Sequence, residues 1–315
     1  MKKIVLLFAA CSLLLCCQQE RPPADEPEQN QKEGTVEPEQ NQKERPRLEE
    51  LIESYTLPCE CPDEWPDQEP ENFWIRAMHG PVYRDDLPWD YPIKPKTEEW
   101  NQFGAKERRD VLQIPEDILA SLSTDDLAHI CMKFPILHTS AAFSPINERG
   151  LDSLFKRFNG VRELIKRKDA SKALLKWYKC AIQNRSFLFE DVTNVEMGGY
   201  VLDITMAELI LSRYQLPDDA DKDNYVEIVQ HLSCGAEKML ELQEYFGLYA
   251  LEINCIARAK IMFKIDEQII DEIPQGFNNP LFTGAGYYGD DSEPYMIDII
   301  NTLIAIHNLS CRYIH

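Results

Sequence analysis

Apolar residues recur every three or four positions through the C-terminal two thirds of the chain. The pattern is most regular at residues 200–214, 223–246, 248–273 and 294–314. Side chains at this spacing share one face of a helix, which lets that face pack on a core. The pattern therefore predicts four long amphipathic helices.

Shorter helices are predicted ahead of these from their end signals. Pro115 suits a first helical position, and the acids that follow it suit the positive end of a helix. Ser123 is a strong N-cap residue, and Pro135 cannot continue the helix that Ser123 begins. Two further short helices are predicted at residues 150–158 and 160–167.

A helix that begins at Asp169 completes the predicted set. Its inward face is predicted to carry Leu174, Trp177, Tyr178 and Ala181. Alternation typical of a strand is scarce, and its best candidate, at residues 186–192, is weak. The predicted fold class is all-α, as an irregular bundle or a short solenoid-like array, and short connections make consecutive helices antiparallel.

Residues 52–105 are rich in proline and aromatic residues, which separates them from the helical region. Their eight prolines prevent long helices. Four of the five tryptophans lie here, at Trp65, Trp74, Trp89 and Trp100. Such a segment can wrap over the helical body, or it can present its rings as a binding surface for a sugar or peptide. Wrapping is the favoured interpretation, and these four tryptophans are the candidate binding surface.

Residues 18–51 contain few apolar residues and form a predicted disordered tether. The sequence EPEQNQKE at residues 26–33 returns at residues 37–44. A proline in each copy and the lack of an apolar face predict an extended, solvated linker. Arg45 and Arg47 follow the second copy and are candidate sites at which an Arg-directed protease could release the rest of the chain.

The first seventeen residues, MKKIVLLFAACSLLLCC, have the features of a lipoprotein signal. Two lysines precede an apolar run that is too short for an ordinary transmembrane helix. Cys17 is the predicted lipidation site, because Leu14 lies three residues before it and the small Cys16 lies directly before it. Cys11 and Cys16 fit this pattern less well. Acyl chains on Cys17, palmitate among them, would hold the mature protein on a membrane.

The residues after Cys17 refine the predicted location. Gln18-Gln19-Glu20 lacks the aspartate that retains lipoproteins in the inner membrane. The acidic continuation resembles the export signals of Bacteroidetes-type surface lipoproteins. This resemblance implies an outer-membrane location, with the protein exposed at the cell surface or released from it.

Three motifs resemble a recurring helical region of uncharacterised exported bacterial proteins. They are YPIKPKTEEW at residues 91–100, QIPEDILASLSTDDL at residues 113–127 and FNGVRELIKRKDAS at residues 158–171. The resemblance implies an exported all-helical domain. It implies no activity, cofactor or catalytic residue.

The chain that follows the lipidated cysteine keeps seven cysteines, an odd number. Cys59 and Cys61 are too close in sequence to pair without strain, so they are the candidate disulfide cysteines, with distant partners that stay open. Zinc is the weaker alternative, because the chain has no second cysteine pair at ligand spacing. Cys131, Cys180 and Cys255 lie in apolar helical pattern and are expected to be small buried hydrophobes.

The net charge of the chain is −21, from 33 basic and 54 acidic residues. A chain of this sign has few bases with which to neutralise phosphates, so no nucleic-acid partner is predicted. Residues 18–72 hold 17 acidic and 5 basic residues. More than half of the excess negative charge therefore precedes the helical domain, which is only moderately acidic.

A basic cluster interrupts this acidic sequence at Arg162, Lys166, Arg167 and Lys168. Such a cluster could dock anionic glycans. It could also be a solvated face that balances neighbouring acids, and this is the favoured interpretation.

The chain carries none of the common catalytic signatures. It has no GxSxG elbow, HExxH helix, phosphate loop or dinucleotide fingerprint. Residues 219–223 alternate acids like the start of a calcium loop, but Asn224 and Gln230 replace the glycine and glutamate that such a loop requires. No metal or cofactor is predicted. Enzymatic activity stays an open question, with a non-enzymatic role favoured.

Four regions follow from these patterns: a signal at 1–17, a tether at 18–51, an aromatic segment at 52–105 that packs on the body, and a helical domain at 106–315. The favoured hypothesis is a non-enzymatic lipoprotein of the outer-membrane surface, whose helical domain binds an envelope protein or glycan. The alternative is an antibacterial toxin, released by cleavage of the tether, that acts at the envelope of related bacteria. A second alternative is an envelope hydrolase with an unrecognised site.

Overall fold

The computed structural model describes residues 84, 86–137, 151–183, 194–213, 222–241, 243–266, 268–269, 272 and 293–314. These residues form eleven helices and no strand. In chain order the helices are α1 (Glu98–Gln102), α2 (Ala105–Val111), α3 (Glu116–Ser121), α4 (Thr124–Met132), α5 (Leu151–Arg157), α6 (Asn159–Leu164), α7 (Ala170–Gln183), α8 (Asn194–Arg213), α9 (Lys222–Glu241), α10 (Gln243–Ile265) and α11 (Glu293–Ile314). The prediction of an all-α fold is confirmed for this part of the chain.

The helix ends follow local side-chain chemistry, as the sequence predicts. The Ser123 side chain accepts a 3.1 Å hydrogen bond from the backbone N–H of Asp126, which caps α4. The Thr97 side chain caps α1 in the same way, by accepting from the backbone N–H of Trp100. Pro115 lies at the N-cap of α3, so this helix begins at Glu116, one residue later than predicted.

The predicted start of α8 is wrong. The helix begins at Asn194 instead of Tyr200 and runs through Gly198 and Gly199. Glycine disfavours a helix interior by about 1 kcal/mol relative to alanine, so the pair reads as a break in the sequence. Packing of α8 on its neighbours outweighs that local preference.

The predicted junction between α9 and α10 is also displaced. The helices separate near Glu241 and Gln243, whereas the sequence places the break beside Gly247. Gly247 lies inside α10 instead. Both errors therefore come from treating a glycine as a helix end. The weak strand candidate at residues 186–192 lies outside the described residues.

Helix α10 lies at the centre of the C-terminal half. It packs against α8, α9 and α11, and every residue from 250 to 259 is buried. A helix that is buried on all sides needs apolar residues around its whole circumference. Any polar side chain on such a helix needs a hydrogen-bond partner. The polar residues of α10 are therefore the first place to look for a site.

Helix α7 joins the two halves of the described structure. It packs against α4 on the N-terminal side and against α8 and α9 on the C-terminal side. Its predicted inward face is confirmed, because Leu174, Trp177, Tyr178 and Ala181 are all buried. The two halves therefore share one hydrophobic core.

The three motifs that carry the resemblance meet in the N-terminal half. The Tyr91 ring lies 6.3 Å from that of Phe158, and Phe158 stacks on Phe134 with ring centroids 4.0 Å apart. The Tyr91 hydroxyl donates a 2.8 Å hydrogen bond to the carbonyl of Ile130. A Cβ added at Gly160 would lie within 3 Å of Phe158 and Ile114. The motifs therefore build one packed junction.

Candidate functional site

A buried polar cluster occupies the interface of α7, α8, α9 and α10. The Tyr178 hydroxyl donates a 2.7 Å hydrogen bond to Oε1 of Glu208. Asn254 Nδ2 donates 2.7 Å to the same oxygen and 2.9 Å to the carbonyl of Leu232. The side chains of Tyr178, Glu208 and Asn254 are fully buried. The cluster therefore links four helices through one carboxylate and one amide.

Arg258 adds a cation to this cluster. The residue is fully buried, and its Nη1 lies 3.4 Å from the hydroxyl of Ser233 and its Nη2 3.6 Å from Sγ of Cys255. Burial raises the pKa of Glu208 to about 7, although the hydrogen bonds from Asn254 and Tyr178 and the charge of Arg258 lower it. Near neutral pH, Glu208 therefore exchanges between its charged and neutral forms.

Gly235 allows Tyr178 to reach the cluster. A Cβ added at Gly235 would overlap the Tyr178 hydroxyl, and it would lie 2.8 Å from Cζ of that ring. The glycine sits inside α9, where it weakens the helix locally. Its absent side chain is what lets the Tyr178 hydroxyl approach Glu208 across the surface of α9.

The geometry of the cluster favours a structural task over a chemical one. Glu208 and Arg258 expose none of their surface, so neither reaches a molecule in solvent in this arrangement. Buried hydrogen bonds between side chains of different helices, as from Tyr178 and Asn254 to Glu208, fix the rotation and register of those helices. We therefore assign this cluster to the packing of α7 to α10.

Three histidines are packed into the helices. His129, His231 and His307 expose 9%, 3% and 1% of their surface. Burial lowers the pKa of His129 and His231 to about 4 and the pKa of His307 to about 3. All three imidazoles are therefore neutral at physiological pH.

The described cysteines divide into two groups. Cys131, Cys180 and Cys255 are free. Cys131 and Cys255 are fully buried, as expected for small hydrophobes, whereas Cys180 is only partly buried, so the expectation is wrong for that residue. Cys234 and Cys311 are disulfide-bonded. Burial raises the pKa of the Cys255 thiol to about 11, which makes it a poor nucleophile.

Two of the four candidate tryptophans lie within the described residues. Trp89 packs edge-on against Tyr91, with ring centroids 4.7 Å apart. The Trp100 ring lies 4.8 Å from the guanidinium carbon of Arg108, whose Nε donates to the Trp100 carbonyl. Both indoles are partly buried against the core, so each has a packing role in addition to any contact with a partner.

The basic cluster named from the sequence is divided by the structure. Arg167 points inward, where its Nη1 and Nη2 donate 2.7 Å and 3.0 Å hydrogen bonds to the carbonyls of Leu122 and Leu119. These hydrogen bonds give partners to backbone carbonyls at the C-terminal end of α3, which lack partners within the helix. Arg162, Lys166 and Lys168 are exposed.

The other sequence-predicted site residues lie outside the described residues. They are the lipidation site Cys17, the cleavage candidates Arg45 and Arg47, the tryptophans Trp65 and Trp74, and the disulfide candidates Cys59 and Cys61.

The buried cluster around Glu208 was not predicted from the sequence. The feature that could have indicated it is a charged residue within an apolar helical segment, as with Glu208 within MAELIL and Arg258 within IARAKI. Which of these residues meet depends on the rotation of four helices, and helical periodicity does not specify that rotation.

Within the residues that the structure describes, no three His, Cys, Asp or Glu side chains are grouped so that they could hold a metal ion. None of the described helices has the length and apolarity that a bilayer crossing demands. Comparisons of the chain with protein-family models, curated proteins and solved structures find no match.

Proposed function

We propose that this protein is a lipoprotein of the outer-membrane surface, whose helical domain binds an envelope protein or glycan without catalysing a reaction. The observation that carries the proposal is the N-terminal sequence, in which a basic start and an apolar run end at Cys17. Acyl chains attached to that cysteine would hold the protein on a membrane.

The sequence between the anchor and the helical domain supports the proposal. Residues 18–72 combine a repeated, apolar-poor sequence with 17 acidic and 5 basic residues. Like charges along such a segment favour an extended chain, which would hold the domain away from an anionic lipid surface. This arrangement suits a domain that must reach a partner.

The helical domain supports a binding role through its surface. The polar cluster around Glu208 and Arg258 is buried and is used for helix packing. We therefore expect exposed side chains to make the contacts with other molecules. A folded helical domain with a fixed surface pays little ordering entropy when it binds, which suits recognition.

Metabolic labelling with an alkyne analogue of palmitate tests the anchor. Wild-type protein is expected to carry the label, and a Cys17→Ser variant is expected to lose it and to accumulate with its signal attached. Cys16→Ser and Cys11→Ser are matched controls, and each should keep the label. Label that persists in Cys17→Ser and disappears in one of the controls would contradict the assignment.

Capture from envelope extracts tests the binding role. The mature chain, prepared without lipid from residue 18 to residue 315, is immobilised and incubated with envelope proteins and polysaccharides of the producing cells. A partner that is retained repeatedly, and released by the free chain, is expected. Turnover of an envelope polymer by the same preparation would support the hydrolase alternative against this proposal.

A further inference from the structure

A row of exposed basic side chains runs along α5 and α6. Lys156 is the last residue but one of α5, Arg162 lies in α6, and the Arg162 guanidinium lies 3.5 Å from the carbonyl of Lys156. Lys166 lies in the turn that follows α6, where its backbone N–H donates a 3.1 Å hydrogen bond to the carbonyl of Glu163. Arg157 adjoins Lys156. All four side chains are exposed. We call Lys156, Arg157, Arg162 and Lys166 the basic row.

The acids of this region are directed elsewhere. Residues 156–172 contain seven bases and two acids, Glu163 and Asp169. Glu163 lies 3.6 Å from Nε of Arg167, the arginine that points toward α3. Asp169 accepts a 2.8 Å hydrogen bond from the Thr124 hydroxyl at the start of α4. Both acids are therefore engaged away from the basic row, and no ion pair neutralises it within the described residues.

The charge of this surface contrasts with that of the chain. Residues 73–315 hold 37 acidic and 26 basic residues, yet residues 156–172 carry an excess of five positive charges. Some other exposed bases of the described region are paired with acids, as in Lys94–Asp90 and Lys176–Asp125, but they do not adjoin one another as the bases of the row do. Repulsion among unneutralised bases costs stability, so a surface that keeps them is suited to an anionic ligand.

The shape of the positive surface selects among anionic ligands. A sheet of anionic lipid would face a broad area of a domain whose net charge is negative, so repulsion from that net charge would oppose docking. A linear polymer contacts only the residues that it follows. Arginine and lysine side chains that lie along one surface can pair with carboxylate, sulfate or phosphate groups that recur along such a polymer.

We propose that the basic row, formed by Lys156, Arg157, Arg162 and Lys166, binds a linear anionic polysaccharide. This proposal rests on the binding role given above and names the chemistry of the partner. The polymer lies along the ends of α5 and α6, and its anionic groups pair with the guanidinium and ammonium groups there.

Binding of the mature full chain to defined probes tests the proposal. Heparin and polygalacturonate are the polyanions, and dextran is the neutral control. We expect retention on both polyanions at about 50 mM NaCl and release by about 500 mM, because salt screens these contacts. The triple variant K156Q/R162Q/K166Q is expected to bind at least about tenfold more weakly, since three charge-assisted contacts are removed.

A matched variant separates local recognition from net charge. K94Q/K176Q/R312Q removes three exposed bases that form ion pairs, with Asp90, Asp125 and Glu272 respectively. It should bind the polyanions within about twofold of wild type. Circular dichroism and thermal unfolding verify that both triple variants are folded.

Several outcomes would overturn the proposal. They are equal losses in the two triple variants, wild-type protein that is retained on neither polyanion, and tighter binding to anionic phospholipid vesicles or single-stranded DNA. A protein partner captured equally well by wild type and K156Q/R162Q/K166Q would leave the surface-binding function standing and would refute this inference alone. If palmitate labelling fails but polyanion binding depends on the basic row, the lipoprotein proposal is refuted and the polysaccharide inference stands.

Discussion

Asn159 holds the backbone of Ile114 through both ends of its side-chain amide. Its Oδ1 accepts a 3.0 Å hydrogen bond from the Ile114 N–H, and its Nδ2 donates 2.7 Å to the Ile114 carbonyl. Gln113 adds a third hydrogen bond between the same two segments, because its Oε1 accepts a 3.0 Å hydrogen bond from the Asn159 N–H. Two motifs 45 residues apart are joined by these bonds.

Substitution of Asn159 is expected to destabilise the protein through this contact. Asn159→Ala would leave the N–H and C=O of the buried residue Ile114 without their partners, at a cost of about 2–3 kcal/mol. Urea unfolding followed by circular dichroism measures the change. The control, Asn101→Ala, removes an exposed amide and should change stability by less than about 0.5 kcal/mol. Equal effects of the two substitutions would refute the role of Asn159.

Gly235 and Tyr178 are expected to be coupled. Gly235→Ala puts a methyl group where the Tyr178 hydroxyl lies, and we expect a loss of about 2–3 kcal/mol. Tyr178→Phe removes one hydrogen bond to Glu208, at about 1–2 kcal/mol. The double variant should lose less than the sum, because the hydroxyl that causes the worst overlap is gone. Losses that add within about 0.5 kcal/mol would contradict the contact.

Five buried titratable groups predict a maximum of stability at about pH 6.5. Burial raises the pKa of Glu208 and Glu252 to about 7, so their contribution is full below pH 4.5 and is lost as the pH rises through 7. Burial lowers the pKa of His129, His231 and His307 to about 4 or below. Their contribution is full above pH 6.5 and is lost as the pH falls toward 4.

Denaturant unfolding at a series of pH values checks this balance. The free energy of unfolding should fall on both sides of the maximum. Glu208→Gln, which keeps an acceptor for Tyr178 and Asn254, should weaken the fall on the alkaline side alone. A stability that rises steadily from pH 5 to 8 would contradict the opposed contributions.

Cysteine alkylation tests the two classes of thiol. In denaturant without reductant, iodoacetamide is expected to modify Cys131, Cys180 and Cys255, because these are free. Cys234 and Cys311 should react only after reduction. The same peptide map identifies their partners, and so tests the prediction that Cys59 and Cys61 pair with distant cysteines. Labelling of Cys234 or Cys311 without reductant would be the contrary result.

Helix identity was predictable from the sequence because local pattern determines it. The inward face of α7 follows from the spacing of Leu174, Trp177, Tyr178 and Ala181, and each of these residues is buried. The cap at Ser123 follows from its own hydroxyl and needs no information from distant residues.

The remaining features depend on contacts between distant residues. Gly198, Gly199 and Gly247 lie inside helices because neighbouring helices outweigh their poor propensity. Tyr178 and Asn254 meet at Glu208 only when three helices adopt one relative rotation, and each helix alone allows many. From the sequence, Arg167 belongs to an exposed basic cluster. In the structure it donates hydrogen bonds to carbonyls of Leu122 and Leu119 at the end of α3, which local sequence does not reveal.

Antibody labelling of intact cells tests whether the protein is anchored at the cell surface through Cys17. An antibody against the helical domain is applied to unpermeabilised cells that produce wild-type protein or the Cys17→Ser variant, with a periplasmic protein as the integrity control. We expect wild-type cells to be labelled before permeabilisation and cells with Cys17→Ser to stay unlabelled. Labelling of wild-type cells only after permeabilisation would contradict a surface-anchored lipoprotein.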